Sequence, residues 1–514
     1  MSSKSMVSSS GVSWAHLAAR GQELHLEGSL KEALKHFKDA LEINPQVAEL
    51  YYCVAQVLID LALWEEAAHF YQEATRLKVD WVDAYLMLGV CQEQFGETKK
   101  AKANYHKAIE LDPLSGAGHF NIACLFHAEK DFDGASNHYL KAYQLKEQIG
   151  QCALALAKIA HLRKKYLAAE KWYRIANESK SMTDGDLSNF GVVLQELAKY
   201  EEALSVCDDI LTRDPEHQEA LYNRSFPLLL KGDYKQGWKA FEYRNTIVKR
   251  SEPLWEGDNI EKQKLLVAFE QGAGDVIQCA RFFPEVRKRV GKLLVECPKS
   301  LHRLIHTMGF VDELLDVGEE VLEVDFQVPV FSLPKIFGTQ LESLASGEAY
   351  LKLDKKIQAK SHPFRAGLVW AGDPNHGRDL SRSCSISELA PLFKLKNVEW
   401  VSLQKGQRME DLKSFPFIGD WGSECKDFYD TAERLEQLDL VITVDTSVLH
   451  LCGALGKPVW GLIQYAPDWR WLLAREDSPW YPSVRLFRQN HLGDWRGLIK
   501  RVKAELEIKI ESKQ

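Results

Sequence analysis

Hydrophobic and polar positions follow two different rhythms along this chain. In the first half, small residues recur at Ala33, Ala67, Ala101, Ala135, Ala169, Ala203 and Gly237, always 34 residues apart. A second series lies seven residues behind: Ala40, Ala74, Ala108, Ala142 and Ala176, changing to Ile210 and Arg244. A fixed period of this length predicts a stack of two-helix units, with the small residues where two helices cross closely. In the second half the period is lost. Short apolar runs appear instead at 265–269 (LLVAF), 292–297, 366–372, 398–404, 439–445 and 458–463, with helical stretches such as 386–395 between them. Strands alternating with helices predict parallel sheets in a doubly wound α/β fold, with ligands bound beyond the carboxyl ends of the strands.

The seven units, three of them closed by Asn44-Pro45, Asp112-Pro113 and Asp214-Pro215, resemble the tetratricopeptide repeat. Such arrays form a curved α-helical solenoid with a concave face that recognises a protein or peptide. A spacer or a homo-oligomerisation arm is the alternative. The last unit, GDYKQGWKAFEYRN (232–245), carries Trp238, Phe241 and Tyr243, which are expected to dock the array onto the next domain. The expected order is a disordered start at 1–13, the solenoid at 14–246, a linker at 247–263, and two α/β lobes at 264–350 and 364–512. The polar stretch 345–364 divides the lobes. Asp131-Phe132-Asp133, though shaped like a metal-binding D-x-D, falls in the turn of the fourth unit and reads as a solvated turn.

Composition narrows the function classes. The chain has 514 residues, a net charge of -8 and 45% hydrophobic residues. That balance argues against nucleic acid or an anionic membrane as the main partner. No apolar run approaches the roughly 20 residues of a membrane span. The start MSSKSMVSSS lacks a signal-peptide core, and the ten cysteines form no C-x-x-C pair. Both features point to a reducing, cytoplasmic setting.

Three loops at strand ends could carry chemistry. Gly272-Ala273-Gly274-Asp275 places an acid at a helix start, as a helix cap or as a cleft carboxylate. The loop 371–386 offers His376, Arg378, Arg382, Ser383 and Ser385 beside a helix start, a setting suited to phosphate or to simple capping. In VDTSVLH (444–450), a strand delivers Asp445, Thr446 and Ser447 to a helix N-terminus that Gly456 can end. His450 lies on the face of Ser447, as a phosphate donor or as a packed ring. Asp445 is expected to brace the turn. Of the 14 tryptophans, eight lie from Trp370 onward, and Trp469 and Trp471 could stack on a sugar or base or simply pack.

The motifs PLWEGD, EQGAGDVIQ, GLVWAGDP, VSLQKG, VDTSVLHLCGALGKPVW and YAPDWRWLLAREDSPWYPSVRLFRQ resemble the ADP-heptose–lipopolysaccharide heptosyltransferase family, and most nearly its bacterial branch fused to tetratricopeptide repeats. The layout is similar to that of protein O-GlcNAc transferases. The resemblance implies a GT-B fold of two Rossmann-like lobes and an inverting, metal-independent glycosyltransferase that needs no cofactor beyond its nucleotide-sugar substrate. It implies Asp275 as the general base. It places Arg382, Thr446, Ser447, Val448 and His450 on the donor diphosphate, and Gln404, Asp430 and Thr431 near the nucleoside. The acceptor is expected to be a protein or a glycan. Two positions depart from the family: Ser447 stands at its usual glycine and Arg382 at its usual lysine. A non-catalytic scaffold with a decayed transferase fold is the competing reading. A phosphotransferase lacks its G-x-x-x-x-G-K-[ST] loop.

Overall fold

The computed structural model describes residues 12–244, 251–319, 323–344, 348–354 and 363–512. The expectation for residues 1–11 and for the start of the linker therefore lies outside the described residues. The chain divides into two compact units, Met1–Thr183 and Asp184–Gln514. That boundary falls within the repeat array, not after it.

The first unit consists of five antiparallel helix pairs, from Trp14–Leu26 to Tyr166–Glu178. The 34-residue series of alanines is fully buried. A third series accompanies it: Phe37, Tyr71, Tyr105, Tyr139 and Tyr173 are all buried on the second helix of each pair. Opposite them, the first helix carries Gly21, Ala55, Gly89, Ala123 and Ala157. A Cβ on Gly89 would lie 2.5 Å from the Tyr105 ring, and one on Gly21 would lie 3.0 Å from the Phe37 ring. The small series therefore makes room for the ring series, which fixes the spacing of each pair. Asp131 caps the helix Phe132–Gln144, accepting from the Gly134 N–H at 2.9 Å, and Asp133 pairs with Arg163. This stretch is a capped turn.

The second unit opens with four more helices of the same register, Asp184–Glu196, Tyr200–Arg213, Gln218–Lys231 and Tyr234–Phe241. Two parallel sheets follow. The first contains β1 (Ile260–Ala268), β2 (Val290–Glu296), β3 (Glu313–Leu315) and β4 (Phe326–Pro329), in the order β3-β2-β1-β4. The second contains β5 (Phe364–Val369), β6 (Val398–Ser402), β7 (Gly419–Asp420), β8 (Leu440–Val444), β9 (Val459–Ile463) and β10 (Val484–Arg488). Its order is β10-β9-β8-β5-β6-β7. Counted from β5, this is the 3-2-1-4-5-6 arrangement of a doubly wound nucleotide-binding sheet. The chain is thus a tetratricopeptide solenoid followed by α/β layers. β1 begins at Ile260, inside the stretch read as linker. The stretch 386–395 forms two short 3-10 turns, Ile386–Leu389 and Leu392–Lys394, with Pro391 between them.

Trp238 and Phe241 dock on the α/β layers as expected. Trp238 meets Trp469 edge-on at 5.0 Å, and Phe241 meets Phe331 at 5.7 Å. Tyr243 instead stays 40% exposed. Tyr234 joins the cluster, accepting from the Trp480 indole N–H at 3.1 Å. Arg244 lies fully buried beside it and grips both Glu270 oxygens at 2.8 and 2.9 Å. The lobe divider also does more than its polarity suggested. The backbone N–H groups of Tyr350 and Leu351 both donate to the Ala454 carbonyl, and the Tyr350 hydroxyl donates to the Ile277 carbonyl.

Candidate active site

The strand order reverses between β5 and β8 in one sheet and between β1 and β4 in the other. A crevice opens where neighbouring crossovers run to opposite faces, which is where ligands of such sheets bind. The loop 370–386 leaves β5, Asp445–Ser447 leaves β8, and Gly272–Asp275 follows β1. All three sequence-selected loops therefore lie at switch points.

The loops also meet. Gly274 sits in the helix Ala273–Cys279, against the helix Ser447–Ala454 of the other sheet. A Cβ on Gly274 would lie 3.0 Å from the His450 ring and 3.3 Å from the Ser447 Cα. The glycine is required for this close approach. Gly272 has an ordinary extended backbone; the left-handed residue of that loop is Gln271, at φ 62°.

Asp275 is the third residue of its helix. One carboxylate oxygen accepts from the Gly272 N–H at 2.7 Å, and the other accepts from Arg470 at 2.5 Å. The carboxylate thus caps its helix with one oxygen and pairs with Arg470 through the other. Burial raises the Asp275 pKa, against the opposing pull of Arg470. Arg470 also donates to Asp468 at 2.7 Å and to Gln278 at 2.6 Å, and it lies over the Trp469 ring at 4.3 Å. Burial works against ionisation of Asp468, but Arg470 and Arg378 outweigh it and hold its pKa below the ordinary value.

Thr446 is the N-cap of the helix Ser447–Ala454 but gives no side-chain capping bond; its hydroxyl pairs with Thr443 at 3.1 Å. The Leu449 N–H is tied back to the Thr446 carbonyl at 3.0 Å. The first-turn N–H groups of Ser447 and Val448 have no partner within the helix, as in any helix start. The Val448 side chain packs in the core, so only its backbone serves the site. His450 is buried, and its Nδ1 lies 2.9 Å from the Tyr481 hydroxyl. Burial, reinforced by Arg470, lowers its pKa to about 3, so the ring is neutral. A Tyr481 O–H donated to Nδ1 leaves the ring hydrogen on Nε2.

Asp445 does not brace the turn as expected. Among the described residues, no backbone N–H of the turn donates to its carboxylate. Burial, followed by repulsion from Asp468, pushes its pKa up to about 6.

Arg382 ends the short helix Asp379–Arg382 and lies across Gly372, where a Cβ would meet its guanidinium at 2.5 Å. Its Nε is buried without a hydrogen-bond partner. The neighbouring carboxylate, Asp379, stands 3.8 Å away and already accepts from Ser383 at 2.6 Å. Arg382 is therefore a largely buried cation with no hydrogen bond at Nε, a long ion pair to Asp379 at 3.8 Å, and the charges of Asp445 and Asp275 acting on it from further away. His376 beside it has a lowered pKa through partial desolvation and the Arg382 charge.

Of the residues expected near a nucleoside, Gln404 adjoins the Arg382 loop, whereas Asp430 and Thr431 belong to the helix Phe428–Leu435. Both ends of the Gln404 carboxamide are taken: Oε1 accepts from the N–H groups of Trp370 and Ala371, and Nε2 donates to the carbonyls of Ala371 and Lys405. It braces the start of the Arg382 loop and offers no free group to a nucleoside. Asp430 is held by Arg303 at 2.8 Å and lines a separate cavity of about 360 Å³ with Glu424, Cys425 and Arg434. Thr431 is buried and donates to the Asp427 carbonyl. A second cavity, of about 570 Å³, opens beside the Arg470 segment, lined by Leu230, Lys231, Leu472, Leu473, Arg475 and Asp477. Trp469 and Trp471 are fully buried and pack.

Sequence reasoning missed Arg470, Asp468 and Arg488. Arg488 donates to the carbonyls of Trp471, Leu472 and Arg475 and so holds a turn in which Leu472 and Ala474 are left-handed, at φ 53° and 49°. Two charges inside the aromatic run DWRW were the available signal.

A tetratricopeptide repeat model matches residues 82–113. Protein FlbA of Caulobacter vibrioides is 25% identical over 355 residues, covering 60% of this chain and 59% of FlbA. That share of the chain exceeds the whole repeat array, so the likeness extends into the α/β half. The human protein O-mannosyl-transferase TMTC2 is 33% identical over 99 residues, covering 19% of this chain and 12% of that protein. Among solved structures, YrrB, a TPR protein with an unusual peptide-binding site, is 22% identical, with a TM-score of 0.33 over 36% of this chain and 96% of its own. The chain thus spans little more than half of FlbA and a small part of TMTC2. No helix among the described residues is long and apolar enough to cross a membrane.

Proposed function

We propose that the α/β half is a GT-B glycosyltransferase that moves a sugar from a nucleotide-diphosphate donor to a protein or glycan held by the repeats. The observation that carries the reading is Arg382, a largely buried guanidinium whose Nε has no hydrogen-bond partner and whose ion pair to Asp379 is long, at the switch point that also presents the helix start at Ser447. A diphosphate satisfies both: its oxygens pair with the guanidinium and accept from the Ser447 and Val448 N–H groups and from His450 Nε2. As the sugar leaves, negative charge grows on the diphosphate, where these preorganised donors stabilise it. Asp275, across the contact, takes the acceptor hydroxyl's proton; burial moves its pKa toward the range useful for a base. Arg470 fixes the carboxylate in position. With Asp275 as the base and Asp468 tied to Arg470 as its counter-charge, the reading favours inversion at the anomeric carbon.

The heptosyltransferase-like motifs and the partial likeness to an O-mannosyl-transferase support this class. One observation favours a scaffold instead: both Asp275 oxygens already carry a hydrogen bond. Calorimetry with UDP, GDP, ADP and CDP separates the two. The transferase reading expects one nucleotide to bind at micromolar Kd and Arg382→Met to weaken it at least ~10-fold, the loss of a charge-assisted bond. If none of the four binds, the scaffold reading stands.

A further inference from the structure

The loop that carries Arg382 is held from the repeat array. Arg378 lies between His376 and Arg382. Its Nη2 donates to the Ala466 carbonyl at 2.8 Å, and its Nε lies 2.9 Å from Glu196. Glu196 is the last residue of the helix Asp184–Glu196, the first helix of the sixth repeat, and its side chain is 12% exposed. The connection continues inward through the backbone. The Arg378 carbonyl accepts from the Arg382 N–H at 3.2 Å and the Ser381 N–H at 3.1 Å, and from the Ser381 hydroxyl at 2.9 Å. Fixing Arg378 therefore fixes the one-turn helix that presents Arg382.

We propose that Glu196 is a positioning residue for the anion site: through Arg378 it sets the placement of Arg382, which makes the sixth repeat a working part of the donor pocket. The inference rests on the reading of Arg382 as a diphosphate ligand. A long loop on a strand end is otherwise free to sample several arrangements, and only the competent fraction binds. The ion pair is partly shielded, with Glu196 12% and Arg378 26% exposed, and its two partners in direct contact act as a unit.

The test uses the full chain, inorganic pyrophosphate as the probe, and Glu196→Gln, Arg378→Gln and the double variant. Two quantities are read: pyrophosphate Kd, and amide hydrogen exchange across 373–383. Expected are faster exchange in that segment, a Kd raised about fivefold in either single variant, and a double variant no worse than the worse single, the signature of coupled residues. The melting temperature of Glu196→Gln should fall by only a few degrees, because Arg378 is partly exposed and keeps its bond to the Ala466 carbonyl. Unchanged exchange in Glu196→Gln overturns the positioning role. Faster exchange with unchanged Kd overturns its link to the anion site. A wild-type chain that does not bind pyrophosphate overturns the diphosphate reading itself, and the exchange data then still decide whether Glu196 holds the loop.

Discussion

The repeat unit and the α/β unit use their charged residues in opposite ways. Among the described residues of Met1–Thr183, the buried ionisable groups are few: His119, and Glu170 paired with Arg174, besides thiols and tyrosines. Its interior is alanine against aromatic ring. The α/β unit instead buries Arg244, Glu270, Asp379, Asp445, His450 and Arg470. Burying charge is expensive unless it is paired. A fold that needs only packing avoids that cost, as the repeats do. Where charges cluster in the interior, as at the strand switch points, function is the more economical explanation.

That contrast can be broken in four ways. The largest effect is expected from Arg470→Met, which strands Asp275 and Asp468 without their cation and should cost about 3–5 kcal/mol in urea unfolding. A loss under about 1 kcal/mol would show that water reaches the cluster. Next is Ala135→Leu in the repeats, at a fully buried helix crossing. Overpacking there should cost about 1–3 kcal/mol, and proteolysis should find the damage in the first unit.

The third test is pH. His450 has a folded pKa of about 3, below its unfolded value, so its contribution is full above the unfolded pKa and falls away as pH drops toward 3. Asp445 has a folded pKa of about 6, above its unfolded value, so its contribution is full at low pH and is lost as pH rises through 6. Between roughly pH 4 and 6 the two slopes oppose each other, each about 1.4 kcal/mol per pH unit at most. Asp445→Asn should unmask a steeper acid loss, and His450→Gln should remove it. Parallel stability curves for wild type and Asp445→Asn would show that the carboxylate is not buried. The smallest effect belongs to Arg382→Met, which removes a cation held only by a long ion pair and should shift stability by no more than ~0.5 kcal/mol in the destabilising direction. A loss as large as that of Arg470→Met would mean that Arg382 is structural.

The sequence displayed the parts whose signal is local. The 34-residue period announced the solenoid, and six apolar runs marked β1, β2, β5, β6, β8 and β9. The short strands β3 and β7 carry too few residues for a period, and β4 and β10 passed unnoticed beside loop-like neighbours. In the candidate site, the three loops were legible because glycine, hydroxyl and acid cluster at strand ends. Arg470 and Arg488 were not, because their roles depend on partners far away in the chain. Gln404 illustrates the converse: a polar residue near a predicted pocket whose hydrogen-bonding groups are all committed to backbone. Asp445 departs for the opposite reason, since no turn amide among the described residues reaches it.

Tyr350 touches the carbonyl-bearing ends of both facing helices, through its hydroxyl to Ile277 and its N–H to Ala454. The opposite ends of those helices carry Asp275 and Ser447. One residue thus joins the two helices at the end away from the chemistry, like the welded heel of a pair of tweezers. A molecule admitted beside Asp275 and Ser447 therefore meets two helices whose spacing that tie already sets.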